Sequence, residues 1–148
     1  MIVSPLAMRL GLLVAVLVAG PLPAVAQTEA ERSIALSLGE DPGLLLGSAW
    51  LPDPSGAPEA IGGGYFADGD GGNMVLSSWG LFSAEGGAYA LVGPIDGLYG
   101  QDLRDAAFLP DRIEVTTTVQ GPNDPRCCPT DVARWSIDRA SLAAARID

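Results

Sequence analysis

The chain has 148 residues, with 18 Asp plus Glu against 8 Arg, no Lys, no His and two Cys, for a formal net charge of −10. Nucleic acids and anionic membranes need a positive footprint, so neither is an expected partner, whereas a cation or a basic protein is compatible. Without histidine or lysine, a Ser-His-Asp triad, a Cys-His or Ser-Lys dyad, a Schiff base and a histidine-held metal are excluded. A carboxylate, a tyrosine or a cysteine would have to do any acid–base work, and no carboxylate spacing points to a glycosidase-like pair. The reading is therefore non-enzymatic.

At the N-terminus, Met8-Arg9 and the apolar run Leu10 to Ala19 have the form of a charged n-region and an h-region. Gly20-Pro21-Leu22-Pro23 breaks the run, and Ala24-Val25-Ala26 is a small-x-small cleavage signal before Gln27. Residues 1–26 are read as a cleaved signal peptide and 27–148 as a single β-rich domain, periplasmic or secreted. The run is shorter than the roughly 20 apolar residues that cross a bilayer, so the mature chain is expected to have no membrane span. No cysteine stands at the cleavage point, which argues against a bacterial lipoprotein. Cleavage removes Arg9 and no acid, taking the net charge from −10 to −11.

Thr28-x-x-Glu31 has the form of a capping box before Ile34, Leu36 and Leu38, predicting a short helix over Thr28 to Leu38 that Gly39 to Pro42 ends. Leu44 to Leu51, carrying Trp50, reads as a buried strand, and Pro52 to Pro58 as a surface loop. The segment Ile61 to Gly72 is glycine-rich and brackets Tyr65-Phe66. Met74 to Phe82 and Ala88 to Val92 read as strands joined by a hairpin at Glu85-Gly86-Gly87. Phe108-Leu109 should end a shorter strand before the Pro110-Asp111 turn. From Arg112 to Gln120, polar residues alternate with Ile113, Val115, Thr117 and Val119, predicting a strand with one packed face. Val132 to Asp138 repeats the alternation, with Ala133, Trp135 and Ile137 on one side. Ser141 to Ile147 is read as a last strand, with a helix as the alternative. The expectation is a mainly β domain, one small antiparallel sandwich or half-barrel of about six strands, with one short N-terminal helix.

Between the last two clear strands lie 11 residues, Gly121 to Asp131, longer than the usual hairpin loop. Three prolines stiffen this loop, because each sets its own φ and restricts its predecessor. It contains Gly121-Pro122-Asn123-Asp124-Pro125-Arg126-Cys127-Cys128-Pro129-Thr130, including the only two cysteines in the chain. The segment Arg112 to Asp138 resembles a family of small uncharacterised secreted bacterial proteins with a G-P-N-D-P-x-C-C-P-[ST] motif near the C-terminus. The resemblance implies export and carries no assigned activity, substrate or cofactor.

Adjacent cysteines have few chemical options. Disulfides favour Cα separations of about 4.4–6.8 Å, while neighbouring Cα atoms are about 3.8 Å apart across a trans peptide. A bridge between Cys127 and Cys128 would close a tight ring and lock a turn, and it is the favoured reading. Free thiols, bridges to another chain and a soft metal on two thiolates are the alternatives. Arg126 would lower a neighbouring thiol's pKa, so a thiol-redox role for Cys127 and Cys128 is the second function considered. The third is Ca²⁺-dependent binding through Asp68, Asp70 and Asn73, in Asp68-Gly69-Asp70-Gly71-Gly72-Asn73. Two carboxylates and an amide are few for a cation that takes six to eight oxygens, so a glycine-rich turn is the simpler reading. Tyr65, Phe66, Trp79, Tyr89 and Tyr99 would line either a groove or the core, and the core is the commoner place for them. The favoured function is an exported binding or envelope-accessory module with a rigid vicinal-cysteine loop and no cofactor.

Overall fold

The computed structural model describes residues 24–71, 74–125 and 127–148, so the expected signal's apolar run lies outside them. Two antiparallel sheets follow one another along the chain. The first is β1 (Leu45–Pro52), β2 (Glu59–Ala67), β3 (Val75–Glu85) and β4 (Ala88–Pro94), in that spatial order. The second is β5 (Gln101–Phe108), β6 (Arg112–Val119), β7 (Asp131–Asp138) and β8 (Ala144–Arg146), again in sequence order. One helix, α1 (Ala24–Ser37), and a 3-10 turn at Pro42–Leu44 precede them. The result is sandwich-like and mainly β, with eight strands where about six were expected. Among the described residues no helix is long and apolar enough to cross a membrane.

The strand missing from the sequence reading is β2, which holds Gly62, Gly63 and Gly64 and pairs along its length with both β1 and β3. Glycine weakens a strand interior unless something needs to approach the backbone closely. Here two indoles do. A Cβ at Gly62 would lie 2.5 Å from Cε3 of Trp50, and a Cβ at Gly63 would lie 2.5 Å from Cε3 of Trp79 and collide with the carbonyl oxygen of Ser78. Successive strand residues face opposite sides, so Trp50 covers the outer face of β2 and Trp79 the inner one.

The inner side faces the second sheet. Ile61, Trp79 and Leu81 pack there against Ile113, Val115, Ala133, Trp135 and Ile137, in one cluster with Ile95, Leu98 and Leu103. β6 alternates half-buried and buried residues along its whole length, as its sequence pattern requires. Thr117 is the buried polar side chain in this layer, and it is satisfied twice. It accepts from Trp135 Nε1 at 2.8 Å and donates to the Tyr99 carbonyl at 2.9 Å, so the turn before β5 is tied to the sheet's interior. By contrast, Trp79 Nε1 is buried without a hydrogen-bond partner among the described residues. Its indole instead meets Tyr65 edge-on, with ring centroids 5.3 Å apart.

Two polar links join the sheets. The Leu103 N–H donates to Tyr65 Oη at 3.4 Å, and burial is the main cause that pushes the Tyr65 phenol's pKa up. At the other end, Arg139 makes a forked contact to both oxygens of Glu59 (2.9 to 3.0 Å) and donates through Nε to the Leu109 carbonyl. A two-pronged arginine–carboxylate contact in a half-buried setting fixes orientation as well as adding energy.

The outer face of the first sheet is covered by α1. Ala35 is buried there, and Leu38 sits over Gly80, where a Cβ would come within 2.8 Å of its Cδ2. Helix α1 is already formed at Ala24, ahead of Thr28, and so runs through the expected cleavage point between Ala26 and Gln27. Thr28 is therefore inside the helix and not its cap, and Glu31 is turned to the sheet, accepting from Ser48 Oγ at 2.9 Å. The C-terminal end matches expectation. Gly39 takes φ +77°, its N–H donates to the Leu36 carbonyl and that of Glu40 to the Ala35 carbonyl, which is a Schellman ending.

The close approaches at β2 make a graded prediction. Gly63→Ala has a backbone oxygen in its way and should destabilise by about 3 kcal/mol, while Gly62→Ala meets only side chains, Trp50 and Phe82, and should cost about 1 kcal/mol. Urea unfolding of both variants measures the difference, and equal losses would contradict the arrangement.

Candidate functional site

A cleft of about 500 Å³ opens between α1 and the outer face of the first sheet. Its floor is a trio of rings contributed by three strands: Trp50 from β1, Phe82 from β3 and Tyr89 from β4. Trp50 lies 5.1 Å from Phe82 and 5.0 Å from Tyr89, the latter edge-to-face at 87°, arrangements that the ring quadrupoles favour. Phe82 is buried and Tyr89 is 44% exposed, so the trio grades from core to solvent. The helix supplies the opposite wall, with Ala30 and Ile34 as its apolar residues and Glu31, Ser33 and Ser37 as its polar ones.

The glycines of β2 make this cleft. With side chains at Gly62, the Trp50 ring could not lie against the sheet, and the floor would be lost. The expected aromatic groove residues divide accordingly. Phe66 and Trp79 are buried, and Tyr65 packs on the core as expected of them. Tyr99 stacks on Trp135 at 4.6 Å, and only Tyr89 reaches the cleft. Trp50 and Phe82 were read as strand residues and not as site residues. Their signal in the sequence was the neighbouring glycine run, which marks a strand face left empty for rings.

Cys127 and Cys128 lie in the β6–β7 loop, exposed, with their sulfur atoms joined and their Cα atoms 3.8 Å apart. Arg126 lies outside the described residues. What organises the loop is Asp124, which sequence reasoning did not single out. Its Oδ2 accepts from the N–H groups of Gly121 (2.8 Å) and Thr130 (2.6 Å), and its Oδ1 accepts from Thr130 Oγ1 at 2.7 Å. Gln120 Nε2 and the Cys128 N–H both donate to the Pro125 carbonyl. Three hydrogen bonds to one carboxylate favour its charged form, and the Gly121 N–H first, then Thr130, hold the Asp124 pKa below the ordinary aspartate value.

The acidic glycine stretch forms the β2–β3 turn. Asp68 Oδ1 accepts from the Asp70 N–H at 3.2 Å, and Asp68 pairs through its backbone with Met74 and Gly71. Asn73 lies outside the described residues. Among the described residues no group of three or more His, Cys, Asp or Glu is placed to hold a metal ion. Among the described residues, Asp68 and Asp70 are therefore not joined by a further acidic ligand.

The Asp124 network carries a pH dependence. Because the folded carboxyl titrates below the unfolded one, its contribution is complete above the ordinary aspartate range and is lost as pH falls through the lower folded value. The amide proton signals of Gly121 and Thr130 should therefore move together, and only below that ordinary range. Asp124→Asn should abolish this common titration. Titration of the two amides at the ordinary aspartate value would contradict the network.

Comparison of this chain with family models, with curated proteins and with solved structures returns no match.

Proposed function

We propose that the chain is an exported, non-enzymatic binding module whose ligand lodges in the cleft between α1 and the first sheet. The observation that carries this reading is a recess of about 500 Å³ floored by three aromatic rings from three strands. Small-molecule sites are concave, largely apolar and of this size, with a few polar groups that orient the ligand. Every described residue lining the cleft lies between Ala30 and Tyr89, downstream of the expected cleavage point, so a mature chain would keep all of them.

On this reading the cysteine loop is a structural element. Gly121, Asp124 and Thr130 are all positions of the motif by which the chain resembles small secreted bacterial proteins, and they are the residues that close the loop's base. The motif then records a hydrogen-bonded loop rather than a reaction centre. A thiol-redox role is the second reading, supported by the exposure of both Cys127 and Cys128. It predicts reversible reduction linked to a cellular thiol partner, whereas a structural pair predicts that Cys127→Ala/Cys128→Ala lowers the melting temperature and leaves ligand binding intact.

The cleft reading is tested with a neutral apolar dye such as Nile red. The protein should bind it at one to one, and both Trp50→Ala and Ser33→Trp should weaken binding by roughly tenfold, about 1.4 kcal/mol. Trp50→Ala removes the central ring and Ser33→Trp plugs the mouth from an exposed position, so the second variant tests the site even if the first unfolds. Unchanged binding in a folded Ser33→Trp protein, or no binding by the parent chain, would overturn the proposal.

A further inference from the structure

The geometry points to an organic cation as the ligand of this cleft: a protonated amine carried on an apolar ring or chain. This rests on the binding reading above and adds the ligand's chemistry. Among the described residues, the lining contains one side chain that is charged near neutrality, Glu31. It contains no basic group. The neighbouring Arg32 lines an adjoining recess with Pro42, Gly43 and Leu45, which Glu31 also borders, and is not among the residues lining the cleft.

The Glu31 carboxylate is held by one donor and left open to another. Ser48 Oγ donates to its Oε1 at 2.9 Å and fixes the side chain over the sheet. Among the described residues Glu31 forms no ion pair with an arginine, unlike Glu59 and Glu114. Its Oε2 also receives no donor there, so one oxygen is free to accept from an ammonium.

The rest of the lining matches the same ligand. Aromatic faces attract cations through the ring quadrupole, with indole the strongest and phenol next, and Trp50 and Tyr89 are the rings nearest solvent. The apolar remainder, with Ile34 and Phe82, suits a hydrocarbon body. The whole molecule's charge of −10 raises the local concentration of cations and lowers that of anions. A carboxylate or phosphate ligand would meet Glu31 with no basic side chain among the described lining residues to compensate it.

The test holds the ligand's apolar body constant and changes its charge. 4-Phenylbutylamine, 4-phenylbutanol and 4-phenylbutyrate are titrated calorimetrically into the protein and into Glu31→Gln, which keeps an acceptor for Ser48. The amine should bind about tenfold more tightly than the alcohol, since a hydrogen bond to a charged group outweighs a neutral one, and the butyrate should bind weakest. Glu31→Gln should remove the amine's advantage over the alcohol. An alcohol that binds as well as the amine, or an amine indifferent to Glu31→Gln, would overturn the cation assignment while Nile red binding leaves the cleft reading intact. If neither these compounds nor Nile red binds, both fall.

Discussion

The indoles of Trp50 and Trp79 lie on opposite faces of β2, and neither could do so if Gly62 and Gly63 carried a Cβ. This one constraint organises both layers of the molecule. On the inner side, Trp79 comes down far enough for Ile61 and Leu81 to reach the hydrophobic residues of β6 and β7, and the core closes between the sheets. On the outer side, Trp50 lies against the sheet and gathers Phe82 and Tyr89 around it. Helix α1 then covers part of that aromatic surface and leaves a recess beside it. Core and cleft are thus two consequences of the same pair of glycines, which explains why a strand tolerates Gly62 and Gly63 side by side.

Much of the second sheet was legible in the sequence. Strict alternation from Arg112 to Val119 and from Val132 to Asp138 gave the buried faces residue by residue, because a sheet with one packed face needs period two. The hairpin at Gly86-Gly87 and the turn at Pro110-Asp111 were legible for the same local reasons. β2 was not, since its glycines carry no side-chain pattern and their reason for being there sits on other strands. The misread cap at Thr28 has a similar origin. Glu31 fits a capping box locally, yet its carboxylate turns to Ser48, 17 residues away.

The candidate site was less legible than the fold. Cys127 and Cys128 drew attention because cysteine is rare and its chemistry is distinctive, and the structure joins them. Asp124 drew none, because one Asp among 18 acids shows its importance only when Gly121 and Thr130 are folded onto it. The cleft needed still more, since its floor assembles Trp50, Phe82 and Tyr89 from three strands and its one charge from a helix. Sites built across elements are invisible to local spacing. The cysteine loop and the cleft belong to different sheets, so loop integrity and ligand binding should be separable properties.

The most direct test of the binding account is the set of three indole N–H signals in a proton–nitrogen spectrum, followed as 4-phenylbutylamine is added. The three tryptophans occupy three environments: Trp50 on the cleft floor, Trp79 buried with no hydrogen-bond partner among the described residues, and Trp135 buried and bonded to Thr117. The account predicts that the Trp50 signal moves and saturates while those of Trp79 and Trp135 stay in place. A Trp50 signal that does not move, or three signals that move together, would contradict it.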